Sequence, residues 1–394
     1  MYIKKSRVIA SIIAVVLLTA VLTTLALNPF GIENTGKFLK FSAISRIINS
    51  AYYDDIDRGE SAEMAIAGVA ASTGDPYTQY YWGDTATEYM EQLQGDYCGV
   101  GMYIRCDTEE NLITVVSSIA GSPAEEAGIT TDDKILKIDG QVYTGEQLNE
   151  ASNYMRGEEG TEVTLSIRKA KDNSEQELTL TRRKIVIENV SSGMLDYGIG
   201  YLNISQFTEN VSSNVKEHME KLNNEGMKSL IIDLRNNPGG ILDEAVNISS
   251  MFIETDEIVT YTLDKNDRRN EFKSTDFLGD GKKYDMDIVI LVNGGSASAS
   301  EVLTGALKDY EKAYVIGEKT YGKGVVQSVM AVGIDNILSV TTSRYYSPNG
   351  VCIHGTGIEP DRTVEMSYEN MVTDINKGIG NDIQLNEAVK FLAK

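Results

Sequence analysis

The sequence predicts an α/β (α+β) protein in which a mixed sheet follows a helical segment and a β-rich segment. From residue 190 onward, apolar runs such as SLIIDLR and DIVILV alternate with helical stretches such as SNVKEHMEKLNNEG. Strands and helices that alternate in this way form a sheet joined by crossover helices. Residues 95–183 instead show short period-two alternations, such as TEVTLSIRKA, which predict strands. Residues 33–93 carry apolar residues mostly at helical spacing.

The bulk properties predict a folded protein of several domains. At 394 residues the chain is too long for one ordinary core, so two or three domains of roughly 100 to 200 residues are expected. A hydrophobic content of 42% and a charged content of 24% are typical of globular proteins. The net charge of -22 argues against a nucleic-acid partner, because binding phosphates requires clustered lysine and arginine.

The first 28 residues predict a signal anchor. Basic residues near the start precede an uncharged run, residues 8–27, that contains neither proline nor glycine. As a helix this run would span roughly 30 Å of hydrocarbon. The basic residues would stay in the cytoplasm, so we expect a single-pass plasma-membrane protein whose remaining chain lies outside the cytoplasm. The alternative is a protein secreted after signal cleavage, although Thr24 and Ala26 form only a weak cleavage site.

A capped helix start lies inside the β-rich segment. The run SPAEEAG places Ser122 at the N-cap, Pro123 in the first turn and Gly128 at the end. With the strands around it, this order resembles a PDZ domain, although Thr131–Asp133 stand where that family has Gly-Asp. We therefore expect residues 95–183 to form an inserted PDZ-like domain.

The resemblance to PDZ domains also predicts a binding loop. Gly99, Val100, Gly101 and Met102 would offer backbone N–H groups to the terminal carboxylate of a substrate, and the chain end would add as an extra strand. A tight turn between two strands is the alternative interpretation of the two glycines. The expected partners are proteins or peptides with accessible C-termini.

The richest local feature is DIVILVNGGSASASEVLTGALKDY, where a turn of small residues joins a hydrophobic strand to a helix. Backbone N–H groups at such a turn, with the helix dipole behind them, can stabilise an oxyanion if no bulky side chain blocks the approach. Ser296, Ser298 and Ser300 are all candidates for a nucleophile. Periodicity does not choose among them.

A serine nucleophile needs a base, and the chain has only two histidines. His218 lies in an amphipathic helix, and His354 lacks a metal-spaced cluster of ligand residues, which disfavours a Ser/His/Asp triad and a metallopeptidase. Lysine can act as the base when burial lowers its pKa. Lys323, between two glycines, is the candidate, although a lone lysine in such a loop is more often a surface residue. This chemistry requires no metal and no organic cofactor.

Five blocks in order resemble the core of the carboxyl-terminal processing peptidases: LIIDLRNNPGG, VNGGSASASE, GEKTYGKGVVQ, TTSRYYSPNG and GIEPD. The resemblance covers residues 45–394 and implies a crotonase/ClpP-like mixed α/β serine-peptidase core. It assigns the nucleophile to Ser298, the base to Lys323 and the orientation of that base to Gln327. Residues four apart on a strand share a face, so Lys323 and Gln327 are expected to point to the same side.

The same resemblance places the oxyanion donors on the backbone N–H groups of Gly240 and Ala299. The implied function is that of a membrane-anchored serine endopeptidase that recognises C-termini and cleaves through an acyl-enzyme formed by a Ser/Lys dyad. The alternatives are a non-catalytic PDZ scaffold on a peptidase-like fold and a crotonase-like enzyme that acts on small molecules.

The expected domain organisation has five parts. The N-terminal helical region is expected either to cover the core or to pair with a second copy in a homodimer. The parts are 1–28 signal anchor, 33–93 helical region, 95–183 PDZ-like domain, 184–368 peptidase core and 369–394 C-terminal helix.

Overall fold

The computed structural model describes residues 13–20, 22–23, 31–366 and 382–393. The chain divides into two compact units, residues 1–74 and residues 75–394. Most of the helix predicted for the first 28 residues lies outside the described residues. Among the helices that are described, none combines the length and the apolar character needed to cross a membrane.

The first unit is helical, as its spacing predicts. After a 3-10 turn, helix α1 covers Thr35–Ala51 and helix α2 covers Arg58–Ala71. The carboxylate of Asp57 caps α2 by accepting the N–H groups of its first turn. No residue of α1 is buried, and its apolar side chains, such as Ile47, are largely exposed.

The second unit contains the β-structure and the remaining described helices. Its strands are β1 Gln79–Trp82, β2 Asp96–Gly99, β3 Met102–Asp107, β4 Leu112–Ser118, β5 Lys134–Ile138, β6 Gln141–Val142, β7 Glu162–Arg168, β8 Glu175–Thr181, β9 Arg183–Val186, β10 Val190–Leu195, β11 Ile199–Ile204, β12 Ser229–Asp233, β13 Ile258–Asp264, β14 Arg269–Lys273, β15 Asp287–Val292, β16 Ala313–Gly317, β17 Val325–Ala331, β18 Asn336–Tyr346 and β19 Arg362–Thr363. Its helices are α3 Asp84–Gln94, α4 Pro123–Glu126, α5 Leu148–Met155, α6 Val211–Asn224, α7 Leu242–Ser249, α8 Ala299–Asp309 and α9 Ile383–Leu392.

The central sheet has the strand order β10-β11-β12-β15-β16-β19, with parallel neighbours except for the antiparallel pair β10 and β11. Helices α6, α7 and α8 share a hydrophobic core with one face, to which Leu230 and Ile232 belong. Helix α9 packs on the other face with Ile231. Strand β12 is buried on both faces, which explains why it is an unbroken apolar run. The predicted mixed sheet with crossover helices is confirmed.

A second, antiparallel sheet lies beside the first. Its order is β1-β18-β13-β14, and β17 pairs with β18. Strand β1 corrects the expectation of helix between residues 33 and 93, because residues 79–82 pair with β18. That pairing is a tertiary contact, which local spacing does not reveal.

The PDZ-like segment has a separate core. Strands β3, β4, β5, β7 and β8 form one sheet, with β6 at its side, while β2 pairs with β9. The sheet packs with α5 around buried residues such as Val115 and Ile167. Ser122 caps the four-residue helix α4, as predicted, and its hydroxyl donates to the carbonyl oxygen of Gly101 at 2.8 Å.

Candidate active site

The turn between β15 and α8 holds Ser298 in a constrained backbone conformation. Its φ of 56° is in the left-handed region that L-residues rarely adopt. Ser298 is the N-cap of α8, so the next N–H along the chain belongs to the first turn of that helix. This geometry is that of a nucleophile elbow, where a strained residue stands at the top of a sheet.

The structure separates the three candidate serines. The Ser296 hydroxyl is buried and donates to the carbonyl oxygen of Leu234 at 2.7 Å. The Ser300 hydroxyl is also buried and donates to the carbonyl oxygen of Asn237 at 3.0 Å. Ser298 is half-buried and lines a cavity. Only this serine of the three is therefore placed to meet a substrate.

The cavity has a volume of about 380 Å³ and brings several predicted residues together. Its walls include Ser298, Lys323, Gln327 and Gly240. The remaining wall is largely apolar and comes from α3, α7, α8 and β17, with residues such as Leu93, Leu242, Val302 and Val329.

Lys323 precedes β17 and is half-buried. Burial lowers the pKa of Lys323, and the charges of Asp75 and Glu301 offset part of that shift because they favour the ammonium. The Nζ atom lies 4.7 Å from the centroid of the Tyr77 ring. Among the described residues, it makes no hydrogen bond to the Ser298 hydroxyl.

Gln327 lies on β17, and its Nε2 donates to the Thr341 hydroxyl at 3.3 Å. The expectation that Lys323 and Gln327 share one strand face does not apply directly. Lys323 lies before the strand, and the pairing with β18 has a bulge between Val326 and Gln327. Both side chains nevertheless line the same cavity.

Glu301 lies in the first turn of α8 and is buried beside Ser298 and Lys323. Its side chain has no exposed surface. One carboxylate oxygen accepts the backbone N–H groups of Ser298 and Lys323, both at 2.9 Å. The other accepts the Thr320 hydroxyl at 2.6 Å and the Gly322 N–H at 2.7 Å. One buried carboxylate therefore joins the turn that carries Ser298 to the loop that carries Lys323.

The NNPGG loop after β12 packs directly against the turn that carries Ser298. A methyl group on Gly239 would lie 2.7 Å from the Ser298 Cβ and 2.9 Å from the Ala299 nitrogen. One on Gly240 would lie 2.1 Å from the Phe207 carbonyl oxygen. Within the described part of the chain, the N–H groups of Gly240 and Ala299 have no backbone or side-chain acceptor. Both predicted oxyanion donors therefore lack an acceptor among the described residues, and Gly240 lines the same cavity as Ser298.

Arg235 anchors this loop to the far side of the sheet. Its buried guanidinium bonds the carboxylates of Asp233 and Asp382, at 2.6 Å and 2.8 Å. It also donates to Gln384 at 3.1 Å. Helix α9 and its N-cap residue Asp382 thus supply two of the partners of Arg235.

Residues 75–78 form a turn that contacts both β18 and Lys323. In the structure the Asp75 carboxylate accepts the Tyr77 N–H at 3.1 Å and the Thr78 hydroxyl at 2.7 Å. The Thr341 N–H donates to the Thr78 hydroxyl at 3.1 Å. The turn is thereby fixed to β18 and places the Tyr77 ring beside Lys323.

The predicted carboxylate loop borders a groove of the PDZ-like domain. Val100, Gly101 and Met102 line a cavity of about 180 Å³ between β3 and α5, whereas Gly99 ends β2 beside it. A polar cavity of about 480 Å³ shares Arg156 with this groove and Gln92 with the cavity that contains Ser298. The three cavities therefore adjoin one another along the surface.

Among the described residues, no histidine or cysteine lines the cavity that contains Ser298 and Lys323. His218 lies on α6, where its Nδ1 pairs with the Ser192 hydroxyl at 2.7 Å, and burial lowers its pKa. His354 does not line the cavity. All three cysteines are free.

Two protein-family models match parts of this chain. Residues 198–364 match the model of peptidase family S41, and residues 114–169 match a PDZ domain. A probable CtpA-like serine protease of Staphylococcus aureus (strain COL) is 36% identical over 371 residues, which cover 92% of this chain and 73% of that protein. A probable CtpA-like serine protease of Staphylococcus haemolyticus (strain JCSC1435) is 34% identical over 399 residues, which cover 98% and 79%.

Two solved structures resemble the chain. The photosystem II D1 C-terminal processing protease is 27% identical with a TM-score of 0.50, over 87% of this chain and 97% of that one. A putative S41 protease from Bacteroides fragilis NCTC 9343 is 18% identical with a TM-score of 0.58, over 89% and 96%. At that identity the second likeness supports the fold alone.

Proposed function

Because this chain belongs to the CtpA-like serine proteases of peptidase family S41, we propose that Ser298 is its nucleophile and Lys323 its general base. The observation that carries the proposal is that both side chains line one cavity and that burial lowers the pKa of Lys323. A neutral amine is the form of lysine that can accept a proton.

The reaction is an acyl transfer from a peptide to water. Neutral Lys323 takes the proton of the Ser298 hydroxyl while the serine oxygen attacks the carbonyl carbon of the scissile bond. The resulting ammonium gives that proton to the leaving amine, and the C–N bond breaks to leave an acyl-enzyme. A water molecule then attacks the ester, Lys323 again takes the proton, and the Ser298 hydroxyl is restored.

The N–H groups of Gly240 and Ala299 are the proposed donors to the oxyanion. The absence of an intramolecular acceptor among the described residues supports this role, since preorganised donors need no rearrangement when charge develops. Gln327 is the proposed orienting residue for Lys323. Its amide nitrogen is held by Thr341, which leaves the amide oxygen as an acceptor for the ammonium.

The proposed substrates are polypeptides with accessible C-termini. A chain end bound beside Val100, Gly101 and Met102 would lie in the groove of the PDZ-like domain. That groove adjoins the polar cavity, which in turn adjoins the cavity that contains Ser298. The apolar wall near Ser298 favours apolar side chains next to the scissile bond.

Membrane anchoring and self-association are part of the proposal. The uncharged run at residues 8–27, with basic residues before it, supports a single-pass anchor in the plasma membrane with the peptidase outside the cytoplasm. Helix α1 exposes apolar side chains such as Leu39, Ile44 and Ile47, which supports pairing with a second copy.

The experiment is cleavage of an unfolded protein by the full-length chain, with the products identified by mass spectrometry. Wild type should cleave, Ser298→Ala and Lys323→Ala should not, and Ser213→Ala, an exposed serine on α6, should match wild type. Equal cleavage by wild type and Ser298→Ala would refute the proposal. Binding of chain ends without any cleavage by wild type would favour the non-catalytic scaffold instead.

A further inference from the structure

The Lys323 side chain lies against a turn that neither the motifs nor the comparisons connect with catalysis. The ammonium is 4.7 Å from the centre of the Tyr77 ring, a distance at which a cation is attracted to the face of an aromatic ring. Asp75, two residues earlier, contributes a negative charge to the surroundings of Lys323. We propose that the turn at residues 75–78 positions Lys323, the proposed general base. The Tyr77 ring contacts the ammonium of Lys323, and the Asp75 carboxylate stabilises its charge.

The turn is rigid enough to act in this way. The Asp75 carboxylate accepts two hydrogen bonds from inside the turn, to the Tyr77 N–H and the Thr78 hydroxyl. The Thr78 hydroxyl in turn accepts the Thr341 N–H of β18. Directly after the turn, β1 pairs with β18 in register. The turn that carries Tyr77 is therefore held by β18, which also pairs with β17.

Thr341 connects the turn to the proposed orienting residue. Its backbone N–H donates to the Thr78 hydroxyl, and its own hydroxyl accepts from Gln327 at 3.3 Å. The Thr341 side chain also bonds the Asp75 carboxylate. Thr341 on β18 thus fixes both the turn that carries Tyr77 and the side-chain amide of Gln327. A change in the turn should consequently alter the position of the base rather than the binding of substrate.

The charged and titratable groups around Lys323 come from several elements. Burial lowers its pKa, while Asp75 from the turn and Glu301 from α8 oppose that shift. Burial and a hydrogen bond to Tyr321 raise the pKa of Tyr77 to about 12, and burial raises the pKa of Tyr345 on β18, so these phenols stay neutral at the working pH. The two carboxylates and the ring face therefore all favour the ammonium.

The sign of the effect follows from this balance. Without the Tyr77 ring or the Asp75 charge, fewer groups stabilise the ammonium against the effect of burial. The pKa of Lys323 should therefore fall further, so that the side chain loses its proton at a lower pH. The rising limb of the pH profile of kcat/KM reports that deprotonation in the free enzyme. A cation–π contact corresponds to a shift of about 0.4 to 1.5 pH units.

The inference rests on the proposed function, so its test includes Lys323→Ala. The pH dependence of kcat/KM is measured for the full-length chain with a fluorogenic peptide that has a free C-terminus. Tyr77→Leu should shift the midpoint of the rising limb to lower pH by about 0.4 to 1.5 units and lower kcat more than it changes KM. Tyr77→Phe keeps the ring face and should retain the wild-type midpoint. Asp75→Asn, which is nearly isosteric, should shift the midpoint in the same direction as Tyr77→Leu.

A matched control is Tyr81→Leu, which removes a β1 ring that stacks on Tyr89 at 4.4 Å. It should leave the midpoint unchanged. Wild-type midpoints in both Tyr77→Leu and Asp75→Asn, with Lys323→Ala inactive, would overturn the positioning role alone. Activity in Lys323→Ala would instead overturn the proposed function. If Tyr77→Leu does not fold, Asp75→Asn decides, because an unshifted midpoint in that variant contradicts the inference.

Discussion

The carboxylate of Glu301 accepts the backbone N–H of Lys323 at 2.9 Å, although 22 residues separate them in the chain. The same oxygen accepts the Ser298 N–H at 2.9 Å. Tyr345 reinforces the connection, because its hydroxyl lies 2.6 Å from the Lys323 carbonyl oxygen and 3.0 Å from that of Ser298. The backbones that carry the proposed nucleophile and the proposed base are thus held together by the buried side chains of Glu301 and Tyr345.

Glu301→Gln should impair both stability and catalysis. The amide would place N–H groups where donors already point, and leaving those donors unsatisfied costs about 1 to 3 kcal/mol of unfolding free energy. A displacement of about 1 Å between the reacting groups lowers kcat by roughly 100-fold. Urea unfolding and steady-state kinetics measure the two effects.

The matched control is Glu244→Gln, because Glu244 caps α6 by accepting the N–H groups of Asn210 and Ser212. It should lower stability without lowering kcat in the folded enzyme. Equal kcat values for Glu301→Gln and wild type would show that Glu301 does not hold the site together.

Gly240→Ala should damage the oxyanion loop. The added methyl would lie 2.1 Å from the Phe207 carbonyl oxygen, and the φ of 142° is strained for alanine. Loss of one oxyanion donor lowers kcat by about 100- to 1000-fold. Gly294 lies in the turn between β15 and α8, and a methyl group added there would meet no atom within 4 Å. The control variant Gly294→Ala should therefore remain active. Comparable kcat values for the two variants would contradict the role of Gly240.

Gly101→Ala should weaken the recognition of chain ends. Its methyl would lie 2.3 Å from the Ser122 Cβ, which would displace the predicted carboxylate loop. We expect wild type to prefer a peptide with a free C-terminus over the C-terminal amide, and this ratio of kcat/KM values to fall in Gly101→Ala. Gly140→Ala has similar backbone strain but meets no atom within 4 Å, so it should keep the ratio. An unchanged ratio in Gly101→Ala would argue against carboxylate binding by this loop.

Asp382→Ala should destabilise the second unit strongly. It removes one of two carboxylates from the buried Arg235, and breaking a buried ion pair costs about 3 to 5 kcal/mol. Glu387→Ala on the same helix breaks a more exposed pair with Arg362, which contributes about 0 to 1 kcal/mol. Chemical denaturation of both variants measures the difference. Similar midpoints would show that Arg235 does not anchor α9.

The sequence predicts the central features of this fold because they are local. An unbroken apolar run marks β12, and the small residues around Ser298 mark the turn between β15 and α8. The capping pattern at Ser122 likewise predicts the start of α4. The choice of Ser298 over its neighbours was not local and came from a family resemblance.

The parts that the sequence did not predict depend on long-range contacts. Thr78 and Thr341 are 263 residues apart, and no periodicity connects them. Arg235 and Asp382 are 147 residues apart, so the role of helix α9 emerges only in the fold. The contact of Glu301 with Ser298 is local in the sequence, whereas its contact with Lys323 spans 22 positions, so the sequence does not predict it.

Trapping the acyl-enzyme tests the proposed roles of Ser298 and Lys323 most directly. The full-length chain is mixed with a slowly hydrolysed peptide ester, quenched in acid within the first turnover, digested and sequenced by mass spectrometry. We predict an acyl group on Ser298 in wild type and none in Ser298→Ala or Lys323→Ala. An acyl group on another residue, or on Ser298 to the same extent in Lys323→Ala, would contradict it.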